Sequence, residues 1–155
     1  MKREKAMKKL ITLIFLSFFI SSYVSAKESL ISVESKYSVK ETADRFVSIL
    51  ENKGLTLFTR IDHQKNGASV NLELRETEVI IFGNPKAGTP LMQCSQQAAI
   101  DLPQKALVWK GADNKVWLSY NNPEYIKQRH NIQGCDKVIT KISNILSALT
   151  DAAVK

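Results

Sequence analysis

The sequence predicts an α+β domain of two layers, in which an antiparallel sheet is packed by two helices. Three observations support this fold class. Apolar residues recur at helical spacing in two long segments, 39–50 and 138–153. The strand-like segments between them follow one another without crossover helices, which favours antiparallel pairing. No repeat or linker interrupts this part of the chain. We therefore expect the order β-α-β-β-β-β-α with short inserted helices.

The first 26 residues have the three parts of a secretory signal peptide. A basic stretch, 1–9, precedes the apolar run 10–20, and small or polar residues lead to Ala26. The apolar run is shorter than the roughly 20 residues that a spanning helix needs, although an uncleaved N-terminal anchor is the alternative. We expect residues 1–26 to be removed and residues 27–155 to form a single exported domain, periplasmic or secreted, without stable membrane insertion.

The net charge of +7 is concentrated in the N-terminal segment. Residues 1–26 hold five basic side chains and one acidic side chain, so they contribute +4 and the remaining residues +3. A nucleic-acid-binding domain keeps a dense basic face, and the aromatic residues here lie in no basic groove. We therefore expect no nucleic-acid partner, and we also expect no cofactor.

Cys94 and Cys135 are the two cysteines of the chain. Export exposes them to an oxidising compartment, in which two such thiols pair. We predict a Cys94–Cys135 disulfide rather than two free thiols, with a stabilisation of about 4 kcal/mol in the chain-entropy treatment. Neither cysteine lies in a C-x-x-C motif, which disfavours a redox role.

Capping and turn residues place most of the elements. Ser38 and Glu41 have the spacing of a capping box before the first helix, and Gly54 follows its end. The predicted strands span residues 30–36, 55–62, 78–82, 105–110 and 115–120. The last two are predicted to form a hairpin around a four-residue loop, in which Lys110 pairs with Lys115. That pairing would place on one face Leu107, Trp109, Val116 and Leu118.

Two residue pairs that end in proline predict the starts of shorter helices. Thr89 and Pro90 have the residue types of an N-cap and a first helical position, for a helix that reaches about residue 100. Asn122 and Pro123 predict a short helix through about residue 130. The final amphipathic helix is predicted to begin near Asp136.

The turn-rich loop 83–89 carries the candidate ligand-binding residues Asn84, Lys86, Gly88 and Thr89. Its glycine spacing is that of a phosphate loop, but Thr89 and Pro90 stand where that motif requires Lys and Ser or Thr. A weaker expectation is that amides at a helix start, together with the Lys86 cation, attract a small anion. The alternative is a well-capped tight turn that binds nothing.

His63 and Asp101 are the candidate catalytic residues, and each has a plainer interpretation. His63 ends a strand, where a histidine serves as a general base only if a partner holds its second ring nitrogen. Asp101 is either a turn residue at a helix end or the carboxylate wall of a pocket beside Lys86. The sequence contains no nucleophile elbow. His130 is the other histidine, and no ligand-spaced pair accompanies it, so we expect no metal.

Four segments resemble the domain-of-unknown-function family 302. They read RIDH at 60–63, VIIFGNPKAGTPLM at 79–92, IDLPQKALVW at 100–109 and YNNPEY at 120–125. Arg129 and His130 fit the same family, and the resemblance extends over about 35–132. It implies an α+β domain of the order given above and a homodimer, but no reaction. Glu76 and Gln104 depart from the family pattern.

Two functions of different classes are consistent with these residues. The first, which we favour, is a non-enzymatic exported module that binds a small anionic or polar ligand, or a partner chain, in a cleft formed by the loop 84–89, His63 and Asp101. The second is an enzyme that uses His63 as general acid–base, Asp101 to orient it or share its proton, and Lys86 as the anion anchor. The second function requires these three side chains to converge on one cavity.

Overall fold

The computed structural model describes residues 28–155, so the predicted signal peptide at 1–26 lies outside the described residues. The strands are β1 (Leu30–Ser35), β2 (Thr56–Asp62), β3 (Thr77–Gly83), β4 (Gln104–Lys110) and β5 (Val116–Asn121). The helices are α1 (Val39–Asn52), α2 (His63–Ala68), α3 (Pro85–Cys94), α4 (Pro123–Arg129) and α5 (Asp136–Val154), with a 3₁₀ helix at Gln96–Asp101. The strands form one antiparallel sheet in the order β1-β5-β4-β3-β2. The predicted α+β class and element order are confirmed.

The two long helices, α1 and α5, cover one face of the sheet and form the core with it. The buried sheet residues on this face are Ile80, Phe82, Ala106, Val108, Leu118 and Tyr120. Phe46 of α1 meets the Phe82 ring edge-on, with ring centroids 5.2 Å apart. Burial of this apolar surface, at about 25 cal/mol per Å², is the main stabilising term of the fold.

The opposite face of the sheet, which we call the open face, carries a second apolar surface that neither long helix covers. Its residues include Ile61, Val79, Ile81, Leu107, Trp109 and Trp117. Trp109 and Trp117 pair across β4 and β5 with ring centroids 6.5 Å apart and planes 26° from parallel. Both rings are partly exposed.

The register of the β4–β5 hairpin differs from the prediction by one residue. Lys110 pairs with Val116 instead of Lys115, because the Gly111 amide donates to the Lys115 carbonyl at 2.8 Å and lengthens the loop by one residue. A shift of one residue moves a strand's side chains to the other face. Trp109 therefore lies on the open face. The prediction of a single shared face is wrong for Leu107, Trp109, Val116 and Leu118.

The helix after β3 begins five residues earlier than predicted. Asn84 is its N-cap, since the Asn84 side chain accepts a hydrogen bond from the Lys86 amide at 2.9 Å, and Pro85 takes the first helical position. Thr89 and Pro90 consequently lie inside α3 rather than at its start. The helix then gives way to the 3₁₀ segment instead of continuing to residue 100.

The other predicted caps are present. Ser38 Oγ accepts a hydrogen bond from the Glu41 amide at 3.2 Å, and Gly54 follows α1 with a φ of 68°. Asn122 Oδ1 accepts from the Glu124 amide at 3.0 Å at the start of α4. These local contacts explain why the bounds of α1 and α4 lie close to their predicted positions.

Candidate functional site

The sheet separates the predicted site residues into two groups. Strands β2 and β3 are antiparallel, with Asp62 opposite Glu78 and Thr56 opposite Gly83. We call the end of the sheet at Asp62 and Glu78 the lower end, and the end at Thr56 and Gly83 the upper end. His63 directly follows β2 at the lower end, whereas the loop with the candidate ligand-binding residues directly follows β3 at the upper end.

His63 is far from the residues with which an enzyme would need it. The five residue steps of β3 from Glu78 to Gly83 span about 17 Å at about 3.4 Å per residue. His63 is the exposed first residue of α2. The expectation that His63, Lys86 and Asp101 converge on one cavity is therefore wrong, because neighbouring antiparallel strands end at opposite ends of the sheet.

Asp101 has a histidine partner, but that partner is His130 instead of His63. Asp101 Oδ2 lies 2.5 Å from His130 Nε2, and Asp101 Oδ1 accepts a hydrogen bond from Arg129 Nη1 at 3.1 Å. The side chains of Asp101 and His130 are 11% and 7% exposed. A carboxylate has only acceptors, so Nε2 donates to Asp101, and in the neutral form of the ring the Nδ1 atom keeps its lone pair.

The predicted disulfide holds this part of the chain together. Cys94 and Cys135 are bonded, with Cα atoms 6.5 Å apart, within the usual range for a disulfide. Cys94 is the last residue of α3, and Cys135 is the N-cap of α5. The bond therefore ties the segment that leads to Asp101 to the segment that follows His130.

The loop after β3 offers an anion fewer donors than its sequence suggests, because Asn84 accepts from its amides. Asn84 Oδ1 takes the Lys86 amide, and the Asn84 carbonyl takes the amides of Ala87 and Gly88 at 2.9 and 3.0 Å. The backbone is thus the well-capped turn of the alternative interpretation. The Lys86 ammonium group remains as a donor for an anion, because the Lys86 side chain is exposed and forms no ion pair within residues 28–155. Thr89 is also exposed.

The loop and Asp101 are neighbours at the upper end of the sheet. A Cβ atom placed on Gly88 would lie 3.8 Å from Leu102 Cδ1, in ordinary contact. Leu102 directly follows Asp101, so the loop packs against the segment that carries the carboxylate. The segments that carry Lys86 and Asp101 are thus neighbours, and a pocket between these two side chains stays a prediction.

Three cationic side chains lie in the segments next to Asp101. Lys105 Nζ donates to the carbonyl oxygens of Asp101 and Pro103 at 3.3 and 3.2 Å, and within the described residues it forms no ion pair with a carboxylate. Lys86 and Arg129 are the other cations, and Asp101 is the carboxylate that Arg129 meets. We call the following five residues the upper-end cluster: Lys86, Asp101, Lys105, Arg129 and His130.

The lower end of the sheet holds a cavity of about 410 Å³ whose charges are paired with one another. Arg60 donates to Asp44 through Nη1 at 2.7 Å and to Glu78 through Nε and Nη2. The hydrogen bonds that Arg60 donates to Glu78 are the main reason that the pKa of Arg60 is raised. Asp62 Oδ1 accepts from the Lys65 amide at 2.9 Å, which lowers the pKa of the Asp62 carboxyl. Arg60 and Asp62 therefore have separate partners.

Residues 31–149 match the sequence profile of the family described as Domain of unknown function DUF302. This match covers well over half of the chain. The chain belongs to the DUF302 family. A crystal structure described as an uncharacterized conserved protein DUF302, from Bacillus stearothermophilus, has a TM-score of 0.75 to this DUF302 protein at 15% sequence identity. The alignment covers 82% of this chain and 99% of that chain, and at this identity it shows the shared fold alone.

Two curated relatives of this DUF302 protein are considerably longer. They are fluoride-specific ion channel FluC 1 of Brucella suis biovar 1 and fluoride-specific ion channel FluC 2 of Brucella melitensis biotype 1, each 44% identical over 103 residues. The match covers 66% of this chain but only 41% and 38% of the relatives, so the chain spans about two-fifths of their length. Across residues 28–155, no helix combines the length and the apolar character needed to cross a membrane.

His130 is the residue that the sequence patterns did not assign to the site. It lies 29 positions from Asp101, and the two side chains meet only in the folded chain. The only available signal was that both residues fall in segments that resemble the family. Within the described residues, no group of three or more His, Cys, Asp or Glu side chains is placed to hold a metal ion.

Proposed function

We propose that this DUF302 protein is an exported, non-enzymatic binding module that holds a small anionic ligand at the upper end of its sheet. The observation that carries the proposal is the charge balance of the upper-end cluster, in which three cations accompany one carboxylate. Lys86 is the anion anchor, and Asn84, Gly88 and Thr89 form the turn that positions it. His63 has no part in this function because it lies at the lower end.

An anion titration tests this site. The panel contains inorganic phosphate, sulfate, acetate and fluoride, the last because the two longer relatives are named fluoride-specific ion channels. We expect saturable thermal stabilisation by at least one anion and an affinity about two- to fivefold lower in Lys86→Ala, as for one exposed charge. Lys36→Ala removes an exposed lysine at the lower end and should change nothing. Equal losses in the two variants, or stabilisation by no anion, would contradict the site.

Export is supported by the three-part N-terminal pattern and by the cysteine pair, since disulfides persist in oxidising compartments. The measurement is the N-terminal sequence of the protein recovered from the periplasmic or secreted fraction. We expect it to begin at Lys27. Recovery of the intact N-terminus from the membrane fraction would favour the uncleaved anchor.

We also propose that the module is a homodimer joined through the open face. An apolar sheet face with paired tryptophans is typical of protein interfaces, which are enriched in aromatic residues. The ring of Phe58, 53% exposed, extends this surface, because a Cβ atom placed on Gly83 would lie 3.5 Å from Phe58 Cε2 on the open side. Residue types and exposure support this interface.

Sedimentation analysis of the purified domain tests the dimer. We expect a dimer for the unmodified chain and a monomer for Phe58→Lys, in which a charge is placed at the interface. Ser147→Lys is the matched control because Ser147 is exposed on α5, in the other layer of the domain. A monomeric unmodified chain would refute the dimer, and a dimer that persists in Phe58→Lys would refute this interface.

A further inference from the structure

We propose that the ligand of the upper-end cluster is a small oxyanion that carries an O–H group, and that His130 Nδ1 accepts the hydrogen bond from that group. The inference rests on the proposed function, because it names the chemical class of the anion. Hydrogenphosphate is the simplest member of this class. Sulfate has nearly the same shape and carries no O–H group at neutral pH.

The first step is the orientation of the imidazole ring. Asp101 Oδ2 holds His130 Nε2 at 2.5 Å, and the Asp101 carboxylate is itself held by Arg129 through its other oxygen. A carboxylate at this position fixes the tautomer in which Nε2 donates, as in other carboxylate–histidine pairs. The Nδ1 atom of His130 is then an acceptor in a fixed direction.

The second step is the accessibility of that acceptor. Within residues 28–155, the His130 side chain makes one hydrogen bond, the bond to Asp101. No side-chain nitrogen or oxygen in this described range is fully buried without a partner. His130 Nδ1 is therefore not completely enclosed, although the side chain as a whole is only 7% exposed. A mostly buried ring with one acceptor that is not completely enclosed is suited to accept a hydrogen bond from a ligand.

The third step is the charge beside the acceptor. Arg129 uses Nη1 for Asp101, its side chain is 46% exposed, and its remaining N–H groups are donors for an oxyanion. The Lys86 ammonium adds an exposed cation at the same end of the sheet. These donors attract any oxyanion. His130 Nδ1 discriminates between oxyanions with and without an O–H group, because a fully deprotonated anion would place an oxygen lone pair against the nitrogen lone pair.

The experiment compares phosphate with sulfate at the same ionic strength and near-neutral pH. The chain contains two histidines, so its imidazole ¹⁵N signals are few and can be assigned with the variants His63→Gln and His130→Gln. We expect phosphate to bind about tenfold or more tightly than sulfate, the discrimination typical of one unpaired acceptor. The Nδ1 signal of His130 should shift with phosphate, whereas the signals of His63 should not.

The variant arm separates the acceptor from the cations. In His130→Gln we expect the phosphate-to-sulfate ratio to fall towards one, whereas His63→Gln should retain the full ratio. The ¹⁵N measurement on the unmodified chain needs no variant to fold. It therefore keeps the inference testable if His130→Gln is unstable.

The outcomes distinguish this inference from the proposed function. Equal binding of phosphate and sulfate, with no change at His130 Nδ1, would overturn the inference and leave an unselective anion site. A phosphate preference that persists in His130→Gln would overturn the assignment to Nδ1. Binding of neither anion would overturn this inference, and the failure of the whole anion panel would overturn the proposed function as well.

Discussion

Replacing Asp101 with alanine removes a carboxylate that two side chains share, and we expect it to lower the free energy of unfolding by about 3 kcal/mol. The hydrogen bond to His130 is 2.5 Å long between side chains that are 11% and 7% exposed. A hydrogen bond to a charged group in such surroundings contributes about 1.5–3 kcal/mol. The contact with Arg129, whose side chain is 46% exposed, adds at most about 1 kcal/mol.

Urea unfolding followed by tryptophan fluorescence measures this loss, because Trp109 and Trp117 lie on the sheet. A double-mutant cycle with Asp101→Asn and His130→Gln isolates the pair, for which we expect a coupling energy of about 1.5 kcal/mol. The control is Asp151→Ala, which removes an exposed i,i+4 ion pair with Lys155 and should cost less than about 0.5 kcal/mol.

Two results would refute the reasoning about Asp101. A loss below about 1 kcal/mol in Asp101→Ala would show that the buried contact adds little to stability. A coupling energy within about 0.5 kcal/mol of zero would show that Asp101 and His130 act independently. Either result would remove the basis for a fixed imidazole orientation.

Three further predictions concern stability. Burial raises the pKa of Tyr120, so this tyrosine ionises in the unfolded chain before it ionises in the folded one. The resulting contribution to the free energy of unfolding is fully present below about pH 10 and should be lost as the pH rises above it. Urea unfolding across alkaline pH should show this loss in the unmodified chain and not in Tyr120→Phe. Hydrogen bonds from Lys40, which has the larger effect, and from Arg60 lower the pKa of Asp44. The resulting contribution to the free energy of unfolding is present above the ordinary pKa near 4 and should be lost on acidification. In Asp44→Asn, urea unfolding should show a smaller loss of stability on acidification. Reduction of the Cys94–Cys135 bond should cost about 4 kcal/mol, measured by urea unfolding with and without reductant, and an unchanged midpoint would contradict it.

The sequence predicted the elements whose limits are set by neighbouring residues. Ser38 and Gly54 bound α1 through contacts within a few positions, and the apolar stripe of α5 needs only its own spacing. The start of α3 was missed although Asn84 and Pro85 carry the same signal that correctly placed Asn122 and Pro123. The Thr89-Pro90 pair competed with it, and the choice between two valid caps depends on packing rather than on local preference.

The hairpin register could not be settled from the sequence because two loop lengths fit the same turn residues. The observed loop uses Asn114 with a φ of 64°, and its amide donates to the Gly111 carbonyl at 3.2 Å. One added loop residue transfers Trp109 from the predicted apolar set to the open face. A small error in a turn thus concealed the surface that we propose as the dimer interface.

The choice between the two histidines could not be made from sequence either. His63 lies beside charged residues in the chain, whereas His130 meets Asp101 only after α4 packs near the 3₁₀ segment. Contacts between segments separated by whole strands leave no periodic signal. The sequence therefore indicated the carboxylate and the loop of the proposed site but not the histidine that pairs with this carboxylate.

The charges at the two ends of the sheet are the reason that we place the proposed ligand site by charge rather than by cavity volume. The lower end has a cavity of about 410 Å³, yet its cations are already paired, as Arg60 is with Asp44 and Glu78. An anion bound there would have to displace carboxylates from Arg60, whose raised pKa reflects how well Glu78 holds it. At the upper end, the exposed Lys86 forms no ion pair with a carboxylate of residues 28–155. Charge removal at Lys86 should therefore weaken anion binding, whereas enlargement of the lower cavity should not strengthen it.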